Sequence, residues 1–403
     1  MVHQATAIAL TAAMAGVAIA APHNFDNPAG NFTVQQVHNP HFKPHGPMQM
    51  AKAYKKFGAR IPDALAKTVA DYKASLAKRD SGSDKNTPTQ FDSEYLIPVQ
   101  IGTPAQTLNL DLDSGSSDLW VFSSDTPRSS INGQTVYSPG KSSSAKKVSG
   151  ARWSISYGDG SSSSGSVYHD VVSVGGVSFA SQGVESATEV SDEFTSDSAN
   201  DGLVGMAFST LNTVEPRQEN TFFDNIAPNL DVAAWTADLK YHTSGSYDFG
   251  VIDNSKYNGQ ISYVDVDNSQ GFWGFTATIN GRSVPGIADT GTTLALLPDS
   301  VVDSYYQQIR GAQFDESQGG YVFPCSADVP DLTYSPGDAD IAIPGKYMAY
   351  APIDESGESC FGGLQSNTGI GLSIYGDIAL KAAFVVFDKS ERSPRLGFAS
   401  KDV

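Results

Sequence analysis

Cysteine is almost missing from this chain: two residues in 403. That excludes a cysteine-ligated metal site of the zinc-finger kind and a disulfide-dense scaffold. Charge is sparse too, at 17% of residues, and its basic part is the smaller, 26 Lys plus Arg against 44 Asp plus Glu. The formal net charge of −18 repels phosphate backbones and argues against nucleic acid as the main partner. No segment reaches the roughly 20 apolar residues of a membrane span, and residues 397–403 lack the apolar tail of a lipid-anchor signal. What the chain does have is 40% hydrophobic residues and 38 glycines, a composition that suits strands and turns.

Residues 1–20 contain no Lys, Arg, Asp or Glu, and Ile8 to Ala20 is apolar. Ala18 and Ala20 place small residues at −3 and −1, so a signal peptide over 1–20 is predicted, with cleavage before Ala21. The expected localisation is secreted, extracellular and soluble, with no membrane partner. An oxidising route makes Cys325–Cys360 the natural disulfide. Closing that loop is worth about 3.5–4 kcal/mol in the chain-entropy picture.

Charge then switches sign along the chain. Residues 21–79 carry a net of +6, whereas residues 80–403 carry −24. The switch falls at the dibasic pair Lys78-Arg79, which a processing protease could read. A basic leader on an acidic body suggests a propeptide held electrostatically on an enzyme that it silences; the competing reading is a basic tail with no inhibitory role. His38, His41 and His45 add positive charge to this leader in acid more readily than they build a metal site. The single N-glycosylation sequon, Asn31-Phe32-Thr33, also lies in the leader.

Beyond Glu94 the pattern is short strands between turn signals. Tyr95 to Ile101 and Thr107 to Asp113 read as strands, and Gly158 to Gly165 as a Gly/Ser-rich hairpin. Val301 to Arg310 is the clearest helix, with Asp299 or Ser300 as its N-cap. The most informative feature is a repeat. Leu112-Asp113-Ser114-Gly115-Ser116-Ser117 recurs 176 residues later as Ala288-Asp289-Thr290-Gly291-Thr292-Thr293. Each copy is followed by a hydrophobic-hydrophobic-Gly element, Leu203-Val204-Gly205 and Ile374-Tyr375-Gly376, at 92 and 87 residues from the aspartate. One Asp-Ser-Gly is only a turn; two copies with matched partners indicate a duplicated domain with a pseudo-two-fold axis.

That symmetry brings Asp113 and Asp289 face to face. Two carboxylates sharing a site cannot both ionise in acid, so one keeps a proton while the other acts as base. The charged member draws a proton from water and the neutral one donates to a peptide carbonyl. Ser114 and Thr290 can bond across the axis, Gly115 and Gly291 leave room for backbone amides, and Ser116 and Thr292 can donate to the outer oxygens.

With Tyr157-Gly158-Asp159-Gly160 and Ser373-Ile374-Tyr375-Gly376-Asp377, these motifs resemble the pepsin family of aspartic endopeptidases, closest to the secreted fungal penicillopepsin and aspergillopepsin type. The resemblance covers nearly the whole chain from Asp92 to Phe398. It implies an all-β, bilobal fold with few short helices: an N-terminal lobe over 80–255 and a C-terminal lobe over 256–403. It also implies an extended-peptide cleft, no cofactor and no metal, sensitivity to pepstatin-like inhibitors and a monomeric state. Ser114 departs from the family's usual Thr by one methyl group. The hairpin at Tyr157, Gly158 and Asp159 resembles the family's flap, with Trp120 as an indole partner for the Tyr157 phenol. Asp159 could receive a lysine side chain beside the scissile bond, next to a general preference for large hydrophobic residues. Asp111 and Asp118 alternate out of the catalytic register and read as structural. A catalytically dead relative would have lost an Asp or a motif Gly. A glycosidase does not need duplicated Asp-Thr-Gly turns, and a purely structural β-protein leaves the basic leader unexplained.

Overall fold

Leu108, Leu110 and Leu112 occupy alternate positions of the Gln106–Asp113 strand, and all three are buried. Their neighbour strand, Leu96–Ile101, offers Val99 opposite Leu108 and Ile97 opposite Leu110. Each such side chain contributes about 1.5–3 kcal/mol on full burial, which sets the strand register and therefore where Asp113 emerges. The computed structural model describes residues 30–37, 39, 42, 44–79, 95–156, 162–354 and 356–403. The expected signal segment 1–20 and the hairpin tip with Tyr157, Gly158 and Asp159 lie outside the described residues.

The molecule is mostly β. In the first half a seven-stranded sheet runs in the order 96–101, 106–113, 202–205, 119–121, 177–189, 162–174 and 146–156, with 96–101 also pairing to 162–174. In the second half another seven-stranded sheet contains the 282–288 strand, then 374–375, then 295–297. The two halves repeat one device. The strand entering each motif pairs in parallel with the hydrophobic-hydrophobic-Gly element, Asp113 beside Gly205 and Ala288 beside Tyr375. The strand leaving each motif pairs antiparallel with that same element, Leu119 with Val204 and Ala295 with Tyr375.

A third, six-stranded sheet joins the halves, because its two central strands are Ala234–Asp238 and Ala383–Asp388. The leader supplies its edge strand, Phe32–Gln35, paired antiparallel with Ser246–Phe249. A small four-stranded sheet carries the Cys325–Cys360 disulfide, with Cα atoms 4.9 Å apart. Among the described residues no helix is long and apolar enough to cross a membrane.

Two leader helices follow the edge strand: α1 (Gly46–Lys56) and α2 (Asp63–Arg79). α1 starts at His45, whose side chain accepts from the Met48 amide, and has Pro47 in its first turn. It ends with Lys55 and Lys56, cations placed well against the negative end of the helix dipole. One expectation needs correcting: the helix near residue 300 runs over Asp299–Tyr306 and ends short of Arg310. Its N-cap is Pro298, with no side-chain cap, since Asp299 lies inside the first turn and accepts from Ser366 and Thr368. Those contacts use the carboxylate that would otherwise have capped.

Candidate active site

The two motif turns meet along the repeat axis. Ser114 Oγ donates to the Ala288 carbonyl at 2.9 Å and accepts from the Thr290 amide at 2.9 Å. In mirror fashion Thr290 Oγ1 donates to the Leu112 carbonyl at 2.6 Å and accepts from the Ser114 amide at 3.0 Å. The missing methyl of Ser114 thus costs no hydrogen bond. All four groups are buried, so each unmade bond would leave a desolvated partner, at about 1–3 kcal/mol.

Each carboxylate is then held by its own turn. The Gly115 amide donates to Asp113 Oδ1 at 2.8 Å and Ser116 Oγ to Oδ2 at 2.6 Å. The Gly291 amide donates to Asp289 Oδ1 at 3.0 Å and Thr292 Oγ1 to Oδ2 at 2.6 Å. Glycine is required at both places by space. A Cβ on Gly115 would lie 2.5 Å from Asp289 Oδ1, and one on Gly291 would lie 2.3 Å from Asp113 Oδ1.

Between the carboxylates sits the ammonium of Lys56, at the end of α1. Its Nζ lies 2.7 Å from Asp113 Oδ1, and 2.9 and 3.0 Å from the two oxygens of Asp289. Burial opposes its charge, but the two anions and the hydrogen bonds to both of them outweigh that and raise the Lys56 pKa. At Asp113 burial pushes upward, yet the Lys56 charge and the hydrogen bonds from Lys56 and Ser116 bring the group below the ordinary carboxyl range. Asp289 stays above it, through burial and the neighbouring Asp113 charge. The two carboxyls are therefore unequal.

Among Lys52, Lys55 and Lys56 the sequence offers no choice; helical geometry does. Lys52 and Lys56 are one turn apart, and both reach carboxylates, Lys52 Nζ lying 3.8 Å from Asp111 Oδ2. Asp111 belongs to a cavity of about 100 Å³ beside Asp113, together with Trp120, Ile155, Phe194 and Leu203. Burial pushes its carboxyl up to about 7. Reading Asp111 as only structural missed this placement, although its spacing of two from Asp113 puts it on the same face of the strand. Trp120 is fully buried against Phe122, Trp153 and Phe194. Its indole nitrogen has no hydrogen-bond partner among the described residues. Further leader contacts flank Lys56: Thr293 Oγ1 to Gln49 at 3.2 Å, Tyr54 OH to the Thr368 carbonyl at 2.7 Å, and Phe57 edge-on to Phe272. Among the described residues no cluster of ligating side chains could hold a metal ion.

Residues 94–401 match the family model described as "Eukaryotic aspartyl protease". The chain is 55% identical to endothiapepsin of Cryphonectria parasitica over 381 residues, covering 92% of this chain and 91% of that protein. Aspergillopepsin-1 of Aspergillus oryzae is 53% identical over 364 residues, 89% of each chain. Aspergillopepsin-1 of Aspergillus pseudoglaucus is 51% identical over 409 residues, the full length of both. Among solved structures, the aspartic proteinase from Irpex lacteus shares the fold at a TM-score of 0.63 and 24% identity, over 77% of this chain and 95% of that one.

Proposed function

The chain belongs to the eukaryotic aspartyl protease family and is a peptide-bond hydrolase, and from that premise we propose a secreted acid endopeptidase, made as a latent precursor, in which Asp113 and Asp289 activate water. The observation that carries this reading is that a single ammonium touches both carboxylates within 3.0 Å, with each carboxylate held by an equivalent pair of donors. Split ionisation of such a pair is an established property of aspartic proteases as a class. Once Lys56 withdraws, the space between the oxygens suits a water molecule. The ionised aspartate takes a proton from that water, whose oxygen attacks the peptide carbon. The protonated aspartate donates to the carbonyl oxygen. Collapse of the tetrahedral intermediate breaks the C–N bond as a proton passes to the leaving nitrogen. Titration with pepstatin in acid tests the assignment: stoichiometric loss of peptidase activity supports it, and a protein that neither cleaves peptides nor binds the inhibitor would sink it.

The leader fits the role of inhibitor by charge and by position. Its strand pairs with Ser246–Phe249, α1 reaches the Thr368 carbonyl through Tyr54, α2 reaches the Ser317 carbonyl through Thr68, and Lys56 fills the space between the carboxylates. His45 adds an acid-sensitive contact. Burial lowers its imidazole to about 4, so it is neutral and able to accept from Met48 when docked, and it loses that capacity as pH falls through this value. A depressed pKa of this kind stabilises the docked leader above the free histidine value, near 6.5, and stops doing so in acid.

Specificity follows from the cavity beside Asp113. Ile155, Phe194 and Leu203 favour a large apolar side chain on the amino side of the cut bond. Asp159 on the hairpin is the carboxylate proposed to receive a substrate lysine, because Asp111, raised to about 7 by burial, is neutral in acid. Asp159→Ser is expected to lower kcat/KM after Lys by about fivefold or more, the equivalent of a partly sheltered ion pair. Cleavage after Phe or Leu should fall much less. Equal losses on both substrate types would reduce Asp159 to shaping the backbone.

A further inference from the structure

Behind the first motif a second pair of carboxyls meets, and the catalytic reading leaves it unused. Asp118 immediately precedes the Leu119–Val121 strand, and Glu185 lies on the Val177–Glu189 strand opposite Trp120. Their exposures are 3% and 1%. One amide serves both: Asn212 Nδ2 donates to Asp118 Oδ1 at 3.0 Å and to Glu185 Oε1 at 2.8 Å. The Thr213 amide and hydroxyl also donate to Asp118 Oδ1, at 2.8 and 3.1 Å. The second oxygen of Glu185, Oε2, is buried with no donor among the described residues. One amide nitrogen within 3.0 Å of both brings the two carboxyls close together.

Two buried anions so close, one of them with a bare oxygen, would be strongly unfavourable. The charged groups facing Asp118 are Asp113, Asp111 and the lysines of α1, Lys52, Lys55 and Lys56, which share its cavity and leave with the leader on activation. Glu219 faces Glu185 and is acidic too. Glu219 is itself met by His169 Nε2 at 3.0 Å, and the Lys56 ammonium is engaged by Asp113 and Asp289. A proton on Glu185 Oε2 resolves every part of this arrangement, because it supplies the missing donor and removes one charge.

We propose that Asp118 and Glu185 share a single proton, donated from Glu185 to Asp118, and that this proton positions the first catalytic turn and sets the alkaline limit of activity. The mechanical link is short. The Gly205 amide donates to the Asp118 carbonyl at 2.9 Å, and Gly205 pairs with Asp113 across the sheet. Ser117 Oγ donates to the Phe208 carbonyl at 2.7 Å, and Ser116 Oγ holds Asp113 Oδ2. Residues 116–118 therefore anchor Asp113 and Asp118 together. Burial raises Asp118 to about 6 and Glu185 well above the ordinary carboxyl range, where the Asp118 charge adds to the effect. An acid raised on folding stabilises the native state below its free pKa and ceases to do so as pH climbs through the folded value. Once pH climbs past this raised range the shared proton leaves, two like charges face each other, and the turn that holds Asp113 is pushed out of place. Asp118 borders the cavity beside Asp113 and Glu185 lies behind it; both are argued to act through the first catalytic turn, as positioning residues, and the inference rests on Asp113 being catalytic.

The test uses the full chain, activated in acid, held near neutral pH, and assayed again in acid as a fraction of each variant's own starting activity. Glu185→Gln keeps the shape of the side chain, and its amide supplies at every pH the donor that the shared proton supplies only in acid. Inactivation near neutral pH is expected to slow at least about tenfold, and the midpoint of loss to rise by about one pH unit. Asp118→Asn should behave alike, whereas Glu185→Leu, which removes the charge and restores no donor, should protect less. Wild-type rates and midpoints in both the Gln and the Asn variants would overturn the proposal. Should Glu185→Gln fail to fold, Asp118→Asn carries the kinetic arm. Infrared spectroscopy adds an arm that needs no peptidase activity. In the spectrum of the wild type set against that of Glu185→Gln, so that the raised carboxyls common to both such as Asp111 and Asp289 cancel, a protonated-carboxyl carbonyl band that titrates above the ordinary carboxyl range is expected. Its absence there would remove the shared proton while leaving the catalytic assignment of Asp113 standing.

Discussion

Asp113→Asn and Asp289→Asn are each expected to lower peptide hydrolysis by at least about 10³-fold while leaving the fold intact, since proton transfer by a positioned group is worth typically 10²–10⁴. The amide retains the shape. An asparagine at 113 can still accept from the Gly115 amide, and one at 289 from the Gly291 amide, so the turns keep their principal hydrogen bonds. What disappears is the ability to take a proton from water at one position and give one to the carbonyl at the other. Both variants also remove a charge that holds Lys56, so the leader should bind them less tightly than it binds the wild type. Circular dichroism checks the fold, and a quenched-fluorescence peptide in acid reads the activity. Substantial turnover by either protein, freed of wild-type enzyme, would refute the dyad.

The second large effect concerns latency. Lys56→Met in the uncleaved precursor leaves two buried carboxylates without their cation. Removing one partner of such a buried pair costs about 3–5 kcal/mol, which corresponds to a shift of at least about 100-fold in the docking equilibrium of the leader. The uncleaved variant should bind pepstatin, and convert itself, at a pH where the wild-type precursor is silent. For the wild type the sign of the pH dependence is set by Asp113. Its carboxyl lies below the ordinary range when docked, chiefly because the Lys56 charge overcomes burial. Docking of Lys56 therefore favours the ionised form of Asp113, and this hold fades as falling pH protonates that carboxyl. The stabilisation from the neutral, capping His45 shrinks from about 6.5 down to about 4, where the bond itself is lost, and acts in the same direction. A Lys56→Met precursor as silent as the wild type at mildly acidic pH would show that the latch lies elsewhere in the leader. Lys52, 3.8 Å from Asp111, would then be the next candidate.

The repeat, the charge switch and the two cysteines were legible without coordinates, for one physical reason. Each is a local or compositional demand. An Asp held by the amide two residues on and the hydroxyl three residues on needs Asp-x-Gly-Ser/Thr wherever it occurs, so the turn is written in consecutive residues. Its duplication implies a two-fold pairing before any distance is known. A disulfide with only two cysteines to draw on has only one intrachain pairing. A basic leader on an acidic body shows in the residue count.

Other features depend on segments that meet only after folding. Which of three neighbouring lysines reaches the carboxylates is decided by how α1 lies in the cleft, and helical phase puts Lys52 and Lys56 within reach of carboxylates together. Asp111 reads as one more alternating strand residue until Lys52 and the apolar cavity are placed beside it. Pro298 as the cap near residue 300 follows from Ser366 and Thr368 claiming Asp299. The six-stranded sheet takes its central strands from residues 234–238 and 383–388, which no local pattern pairs. Asp118, Glu185 and Asn212 are scattered over almost a hundred positions, and their contact depends on the parallel register of two strands and on one loop folding over them. Turn chemistry acts between neighbours in the chain and is therefore visible in one dimension. Burial, which decides what a carboxyl does with its proton, is a property of everything packed around it and exists only in three.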